Sequence, residues 1–107
     1  MKRRVVITGM GIYSSLGRNL TEVKESLYLG RSGIVFSPDR KAFGYRSALT
    51  GFVERPDLTK VLSRRQRISM GEESEYAYVA TREAIQNAHI DEAFFDAALG
   101  TYVLALD

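Results

Sequence analysis

The sequence predicts an α/β protein with an incomplete, mostly parallel sheet and flanking helices. Residues 4–8 and 101–106 are apolar without the alternation of a half-exposed strand, which is typical of strands buried on both faces. A long helical pattern over residues 72–88 lies between them. The order strand, helix, irregular segment, helices, strand indicates an α/β unit, because parallel strands are joined by helical crossovers.

Length and composition are those of one small domain. The chain has 107 residues, of which 45% are apolar, and this share is enough for a packed core. The 107 residues contain no cysteine, so they hold no disulfide, thiolate metal ligand or thiol nucleophile. We find no apolar run of membrane-spanning length and no signal peptide, and we expect a cytoplasmic protein that binds no membrane. The net charge of +2 gives no argument for nucleic-acid binding.

The first predicted helix follows a glycine-punctuated loop, residues 9–17. Asn19 is a good N-cap, Glu22 follows three residues later as in a capping box, and Gly30 supplies a C-terminal stop. Glycines between a strand and a helix also raise the alternative of a nucleotide site. A dinucleotide fingerprint would place glycine or alanine where Ser14 stands, and the helix begins too far from the glycines to point at a phosphate. A structural turn is therefore favoured.

The middle of the chain carries shorter predicted elements. Residues 31–46 mix Gly, Ser, Pro and Asp without a period and predict an irregular surface loop. Residues 48–53 predict a strand weakened by a glycine. Residues 57–62 predict a short helix capped by its aspartate, and Ser63 is expected to open the next helix or turn.

Residues 72–88 predict the longest helix, with three glutamates in its first turn, where the helix dipole favours negative charge. His89 follows this helix, and we interpret it as a helix-terminus histidine rather than a catalytic one. Asp91 predicts a cap for a further helical turn that ends at residue 95. Small residues share one face of the long helix and indicate close packing on another helix or a sheet: Ala77, Ala80, Ala84 and Ala88.

The opening segment, residues 3–17, reads RRVVITGMGIYSSLG and resembles the start of β-ketoacyl-acyl carrier protein synthases, the elongating condensing enzymes of the thiolase fold. The likeness continues through residues 22–33, which end in the helix stop and Gly-x-Ser-Gly turn of that family, and through Ser63, Met70 and Tyr76. It covers nearly all of residues 1–98. The expected fold is therefore part of a thiolase-like fold.

Two shorter segments are similar to one subgroup of this family. They are residues 44–47, GYRS, and residues 70–74, MGEES, and the subgroup is the one that bacteria use for aryl polyene or related unsaturated chains. For the whole enzyme, the resemblance implies a decarboxylative Claisen condensation. An acyl chain is held on a cysteine, malonyl-acyl carrier protein loses carbon dioxide to attack it, and the product is two carbons longer. This chemistry belongs to fatty acid or polyene biosynthesis.

The catalytic groups of such an enzyme cannot be carried over to this chain. The chemistry needs a thiolate, a pair of imidazoles and usually a lysine, whereas these 107 residues have no cysteine and one histidine. In the family, those groups lie beyond the length present here. We therefore expect residues 1–107 to be the N-terminal part of a synthase N-terminal domain, truncated before the catalytic residues and inactive alone. No catalytic residue, cofactor or metal is assigned.

Three arginines are the expected partner-binding residues: Arg64, Arg65 and Arg67. The residues alone leave two readings open, a solvated helix end and an anion-binding surface. The resemblance favours the second, because condensing enzymes present basic residues near this helix to the acidic surface of acyl carrier protein. Arg64 and Arg65 match that pattern, whereas the basic residues expected one turn later fall on Ile68 and Ser69 and Arg67 is offset by one. A weak, salt-sensitive contact with acyl carrier protein is the expectation.

The predicted sheet has too few strands to bury itself. A thin sheet leaves apolar faces and unpaired backbone groups in water, and both favour pairing with another chain. We expect a homo-oligomer, with a dimer that exchanges a strand or a helix as the simplest closed form. Two functions stay open: a fragment of a condensing enzyme, and a non-catalytic carrier-protein-binding or assembly module that works with a partner chain. A small nucleotide-binding domain is the third and least favoured alternative.

Overall fold

The computed structural model describes residues 3–91. The chain forms short helices and strands joined by turns and extended segments. In chain order these elements are helix α1 (Leu20–Leu29), strand β1 (Ile34–Phe36), helix α2 (Pro38–Ala42), strand β2 (Leu49–Gly51), helix α3 (Arg64–Ile68) and helix α4 (Glu72–Asn87).

Helix α1 begins and ends where its sequence predicts. The side chain of Asn19 caps the first turn by accepting from the Glu22 amide at 2.9 Å, and Gly30 ends the helix in the left-handed conformation with φ of 66°. The capping box is not closed as predicted. The Glu22 carboxylate accepts from the backbone N–H of Arg18 at 2.7 Å instead of that of Asn19. The Arg18 guanidinium also lies 3.2 Å from this carboxylate, and the resulting charge pair favours this bond.

The sheet among the described residues is antiparallel, so the predicted mostly parallel arrangement is wrong for this part of the chain. Strand β1 pairs with β2 in the register Ile34↔Gly51, Val35↔Thr50 and Phe36↔Leu49. The parallel prediction took residues 4–8 and 101–106 as the main strands, whereas β1 and β2 pair with each other across residues 37–48, which hold only the short helix α2. β2 lies within the predicted strand 48–53, whereas β1 and α2 fall in the segment that was predicted to be irregular.

Residues 4–8 do not form the predicted first strand within the described structure. Their β-branched side chains are exposed, with Val5 at 93% and Ile7 at 85% of their accessible area. Strand propensity does not produce a strand unless a neighbour supplies the ladder of hydrogen bonds. The predicted partner, residues 101–106, lies outside the described residues, as does most of the predicted turn 91–95.

The predicted helix over residues 57–62 is also wrong, because the chain makes a single turn there. The Asp57 carboxylate accepts from both the backbone N–H and the hydroxyl of Thr59, at 3.0 and 2.7 Å. This Asx-type closure competes with helix formation by binding the backbone two residues ahead. The turn ends with the Leu62 amide donating to the Leu58 carbonyl at 2.9 Å.

Helix α4 confirms the predicted long helix, and the glycine loop packs against its small-residue face. A Cβ atom placed on Gly11 would overlap the carbonyl oxygen of Ala80, and one on Gly9 would lie 2.5 Å from that of Ala84. Glycine is therefore required at both positions, because only a chain without Cβ can come this close to the helix backbone. The alanine face thus packs against the glycine loop, whereas the sequence predicted another helix or a sheet as its partner.

Two polar side chains of α4 complete this contact. Glu83 accepts from the amide of Ile12 at 2.9 Å and from that of Leu20 at 3.0 Å, and Asn87 accepts from the amide of Met10 at 3.1 Å. These bonds satisfy backbone donors of the loop and of the first turn of α1 that have no partner within their own segments. They join the loop and the start of α1 to the long helix.

Few apolar side chains are buried within residues 3–91. Val23 on α1 and Leu58 in the turn before α3 are the buried apolar residues of this part of the chain, at 8% and 7% exposure. By contrast, every residue of β1 is exposed. The described segment therefore lacks the apolar core that a self-contained domain of this size needs.

Candidate functional site

The three arginines predicted to bind a partner all lie on α3, and a capping box fixes where this helix begins. Ser63 confirms the predicted helix start. Its hydroxyl accepts from the Gln66 amide at 3.2 Å, and the Gln66 side chain accepts from the Ser63 amide at 2.9 Å. These reciprocal bonds form a capping box, which satisfies two backbone donors and holds a helix of only five residues.

The helix places two of the three arginines together and the third apart. Arg64 and Arg67 line one open groove, while Arg65 is exposed and does not line it. Residues three apart lie on the same side of a helix, whereas the next residue in sequence points about 100° away, so this division follows from helix geometry. The Arg67 side chain is held by its Nε, which donates to the Leu62 carbonyl at 3.3 Å.

The groove lies between α3, the start of α4 and the segment that precedes α3. Its volume is about 320 Å³. Polar and charged side chains make up most of its lining, and the buried apolar residue Leu58 also lines it. The lining residues are Arg55, Pro56, Asp57, Leu58, Thr59, Arg64, Arg67, Ile68 and Glu75.

An ion pair that sequence reasoning missed joins two sides of this groove. Arg55 donates to both carboxylate oxygens of Glu75, through Nε at 2.9 Å and through Nη2 at 2.8 Å. The Glu75 side chain is buried at 8% exposure, whereas that of Arg55 is 60% exposed. The two residues are 20 positions apart, and no local pattern in the sequence signals such a pair.

Both carboxylates of the groove are held in the charged form. The hydrogen bonds from Arg55 lower the pKa of Glu75, and the positive charges of Arg55 and Arg67 act in the same direction against the effect of burial. The pKa of Asp57 is lowered mainly by its bonds from Thr59, with smaller contributions from Lys60 and Arg67. The groove therefore presents mixed charge at neutral pH.

The start of α4, which carries Glu75, is also held by the glycine loop. The rings of Tyr13 and Tyr76 stack with centroids 5.5 Å apart and planes 11° apart. The Tyr13 hydroxyl donates to the carbonyl of Glu54, the residue before Arg55. This contact links the loop, α4 and the segment that carries Arg55, and thereby supports one wall of the groove.

Other sequence features lie away from the groove. His89 directly follows the C-cap of α4, with φ of 56°, and its amide donates to the Gln86 carbonyl at 3.1 Å. Within residues 3–91, histidine and acidic side chains form no group that could hold a metal ion. In the same range, every helix is too short or too polar to cross a membrane.

Comparisons with known proteins give one consistent result. Residues 2–104 match the family described as "Beta-ketoacyl synthase, N-terminal domain". The chain is 45% identical over 93 residues to 3-oxoacyl-[acyl-carrier-protein] synthase 1 of Buchnera aphidicola from Acyrthosiphon pisum, covering 87% of this chain and 23% of that protein. It is 44% identical over 86 residues to the synthase 1 of Escherichia coli, covering 80% and 21%. A synthase 2 of Staphylococcus aureus is 30% identical over 89 residues, covering 83% and 22%. The chain thus spans less than a quarter of the length of these relatives.

Proposed function

Because this chain belongs to the β-ketoacyl synthase family, we propose that it forms the N-terminal part of a 3-oxoacyl-acyl carrier protein synthase. The whole enzyme would extend an acyl chain by two carbons through decarboxylative condensation with malonyl-acyl carrier protein, in the cytoplasm, for fatty acid or polyene biosynthesis. The names and identities of the relatives support this proposal. The likeness of residues 44–47 and 70–74 to the aryl polyene subgroup supports an unsaturated product.

Within such an enzyme, the described residues would dock the carrier protein. The observation that carries this proposal is α3, which presents Arg64, Arg65 and Arg67 from a capped helix beside an open groove. Guanidinium groups suit an acidic protein surface, because each can donate two parallel hydrogen bonds to a carboxylate. Exposed charge pairs contribute little individually and are screened by salt, so the contact is expected to be weak and salt-sensitive.

The docking proposal is tested by neutralising the surface. In the full-length protein that the natural reading frame encodes, Arg64, Arg65 and Arg67 are changed together to Gln, and labelled carrier protein is titrated by fluorescence anisotropy. We expect the affinity to fall at least about tenfold at low salt and the salt dependence to flatten. The control changes three exposed cations away from the groove, Lys24, Arg31 and Lys41, to Gln. Equal losses in both variants would reject docking at α3.

The condensation chemistry requires residues that this sequence does not contain. A polypeptide of these 107 residues has no cysteine to carry the acyl chain and one histidine where two are needed. We expect it to form no β-ketoacyl product from acyl- and malonyl-acyl carrier protein, as measured by mass spectrometry. A cysteine-containing full-length synthase serves as the positive control, and product above background from the 107-residue polypeptide would refute the proposal.

We also propose that the isolated polypeptide associates with itself, through exchange of a strand or a helix. The exposed side chains of β1 and of residues 4–8 support this, since apolar surface of this kind is normally covered by a neighbour. A non-catalytic assembly module would show the same association. The presence or absence of a cysteine-containing continuation in the reading frame distinguishes the two functions.

A further inference from the structure

A second cleft, which we call the α1–α4 cleft, is lined by three segments of the described chain. These are Arg18 and Asn19 before α1, Leu58 and Val61 in the turn before α3, and one face of α4 between residues 78 and 86. The volume of the cleft is about 300 Å³, which is at the lower end of the range for small-molecule sites, roughly 300–1,000 Å³. The arginines of α3 do not line it.

The cleft is apolar beside the first turns of α4. The bond between Arg55 and Glu75 holds the segment that follows Arg55 against this part of the helix. Leu58 and Val61 of that segment line the cleft, together with Val79, which lies one turn further along α4. Leu58 is buried and Val61 is half-exposed. Three aliphatic side chains therefore form one end of the cleft.

The other end of the cleft is polar. Glu83 accepts from the Leu20 amide at 3.0 Å, and this bond joins the start of α1 to the later turns of α4. Arg18 lines the cleft from the α1 side, and Arg82 and Gln86 line it from the helix. A ligand that fits the cleft would therefore have an apolar part and a polar end.

Arg82 is the cation at this end that has donors available for a ligand. Within residues 3–91, its guanidinium contacts only Tyr78 of its own helix, through a long hydrogen bond of 3.5 Å to the hydroxyl and at 5.8 Å from the ring centroid. Arg18, by contrast, is already paired with two carboxylates. Each oxygen of Glu83 accepts from a backbone amide. Arg82 is therefore the group that would contact the polar end of a ligand.

The charges of the cleft select a ligand with one negative charge. Two arginines and one glutamate line it, so these side chains carry one net positive charge. A guanidinium group suits a carboxylate, because it can donate two parallel hydrogen bonds to the two oxygens. A cationic ligand would be repelled by Arg82, and a neutral one would not use its charge.

We propose that the α1–α4 cleft binds an aliphatic monocarboxylate, with its carboxylate on Arg82 and its chain against Leu58, Val61 and Val79. Residues 78–86 of α4 rise over about 12 Å, which suits a chain of medium length. This inference goes beyond carrier-protein docking and does not depend on it, because the arginines of α3 do not line the cleft.

The test is an NMR titration of the full-length protein, labelled at its leucine and valine methyl groups, with octanoate. We expect the methyl signals of Leu58, Val61 and Val79 to shift and saturate. Val35 of β1 is exposed and does not line the cleft, so its signals should stay in place and report any non-specific apolar binding. Acetate lacks the chain and octanol lacks the charge, and each should bind at least about tenfold more weakly than octanoate.

Substitution of Arg82 tests the charged contact. Arg82→Gln should weaken octanoate binding about tenfold, because a charged hydrogen bond is lost. Arg82→Lys should recover part of that loss, since it keeps the charge but not the two parallel donors. Arg46→Gln is the matched control, because it removes an exposed positive charge that does not line the cleft, and it should change the affinity less than about twofold.

Several outcomes would overturn the site. It is rejected if the three methyl signals do not shift, if Val35 shifts over the same concentration range, or if octanol binds as tightly as octanoate. Equal losses for Arg82→Gln and Arg46→Gln reject it too. It is also rejected if the Val61 methyl groups of the ligand-free protein contact other parts of the full-length chain, because the chain itself would then fill the cleft. These measurements use no carrier protein, so their failure would leave docking at α3 intact.

Discussion

Two regions of the described chain differ in whether they find their packing partners within it. The first is the glycine loop together with α4, and the second is the β1–β2 pair together with residues 4–8. The loop meets α4 at van der Waals distance, and its amides donate to Glu83 and Asn87. The strand pair has one ladder of hydrogen bonds, and its apolar side chains remain exposed. Residues 4–8 lack even the ladder.

This difference shows which parts of the segment specify their own structure. The loop and α4 are complementary in shape and in hydrogen bonding, so either one constrains the other. The strands have the composition of buried elements but lack a covering layer within residues 3–91. Substitutions within the loop or α4 are therefore expected to change the stability of the fold. Substitutions in the exposed strand region are expected to change its association with other chains.

The largest expected effect concerns the exposed region. We predict that a polypeptide of these 107 residues associates rather than remaining a compact monomer. Covering an apolar patch of several hundred Å² is worth on the order of 10 kcal/mol, which is comparable to the whole stability of a small domain. Sedimentation equilibrium over a wide concentration range measures the mass, and a folded monomer that persists at micromolar concentration would contradict the prediction.

Substitution within residues 4–8 sharpens this test. Ile7, at 85% exposure, is changed to Lys, which should weaken association because a charge cannot be buried in an apolar contact without a partner. Thr81→Lys adds the same charge at an exposed position of α4 and is the matched control. If both changes weaken association equally, net charge rather than the apolar segment governs it.

The next effect lies in the contact between the loop and α4. Gly11→Ala places a methyl group where the Ala80 carbonyl stands, and relief requires the loop to move away from the helix. We expect the free energy of unfolding of the full-length protein to fall by about 3 kcal/mol or more. Urea unfolding followed by circular dichroism measures this difference.

Gly51→Ala is the matched control for that substitution. A Cβ atom at Gly51 would meet its nearest neighbour, the Ser15 hydroxyl, at an ordinary distance of 3.7 Å. Alanine also reduces the conformational freedom of the unfolded chain, so the change is expected to stay within about 1 kcal/mol of wild type. Similar losses from the two substitutions would mean that close approach to α4 is not what requires glycine at position 11.

The predictable features of the fold are local ones. Asn19, Gly30 and Ser63 act on backbone groups within a few residues, so sequence alone placed the ends of α1 and the start of α3. The helical spacing of residues that predicted α4 is also a local feature of the sequence. The pairing of β1 with β2 could not be predicted in the same way, because pairing depends on which strands are available, and residues 31–46 show no sustained period that marks β1 as a strand.

In the candidate site, too, the local features could be predicted from the sequence and the long-range ones could not. The arginines themselves were identified from the sequence, and helix geometry alone would have placed Arg64 and Arg67 on one side and Arg65 on another. The groove could not be predicted, because its other wall is formed by the pair of Arg55 with Glu75, which joins positions 20 residues apart. Such a pair has no periodic signature, and the helix dipole alone already explains a glutamate in the first turn of α4.

The smallest expected effect is the pH dependence of that ion pair. Arg55 lowers the pKa of Glu75 in the folded protein, whereas an unfolded glutamate titrates near its usual value of about 4.3. A carboxylate with a lowered pKa stabilises the folded state above the unfolded pKa, and this contribution is lost as the pH falls through the folded pKa. The difference in unfolding free energy between wild type and Glu75→Gln should therefore be largest at neutral pH and shrink below about pH 4. Urea unfolding at a series of pH values measures this difference.

The control for this prediction is Glu73→Gln, which removes the same charge from an exposed position of the same helix turn and should give a smaller difference at neutral pH. Arg55→Gln should reproduce the Glu75→Gln pattern, and the double variant should add little, because either single change already removes the interaction. A difference that stays constant from pH 7 to below pH 4 would show that the side chain of Glu75 stabilises the wall of the groove by packing and not by its charge.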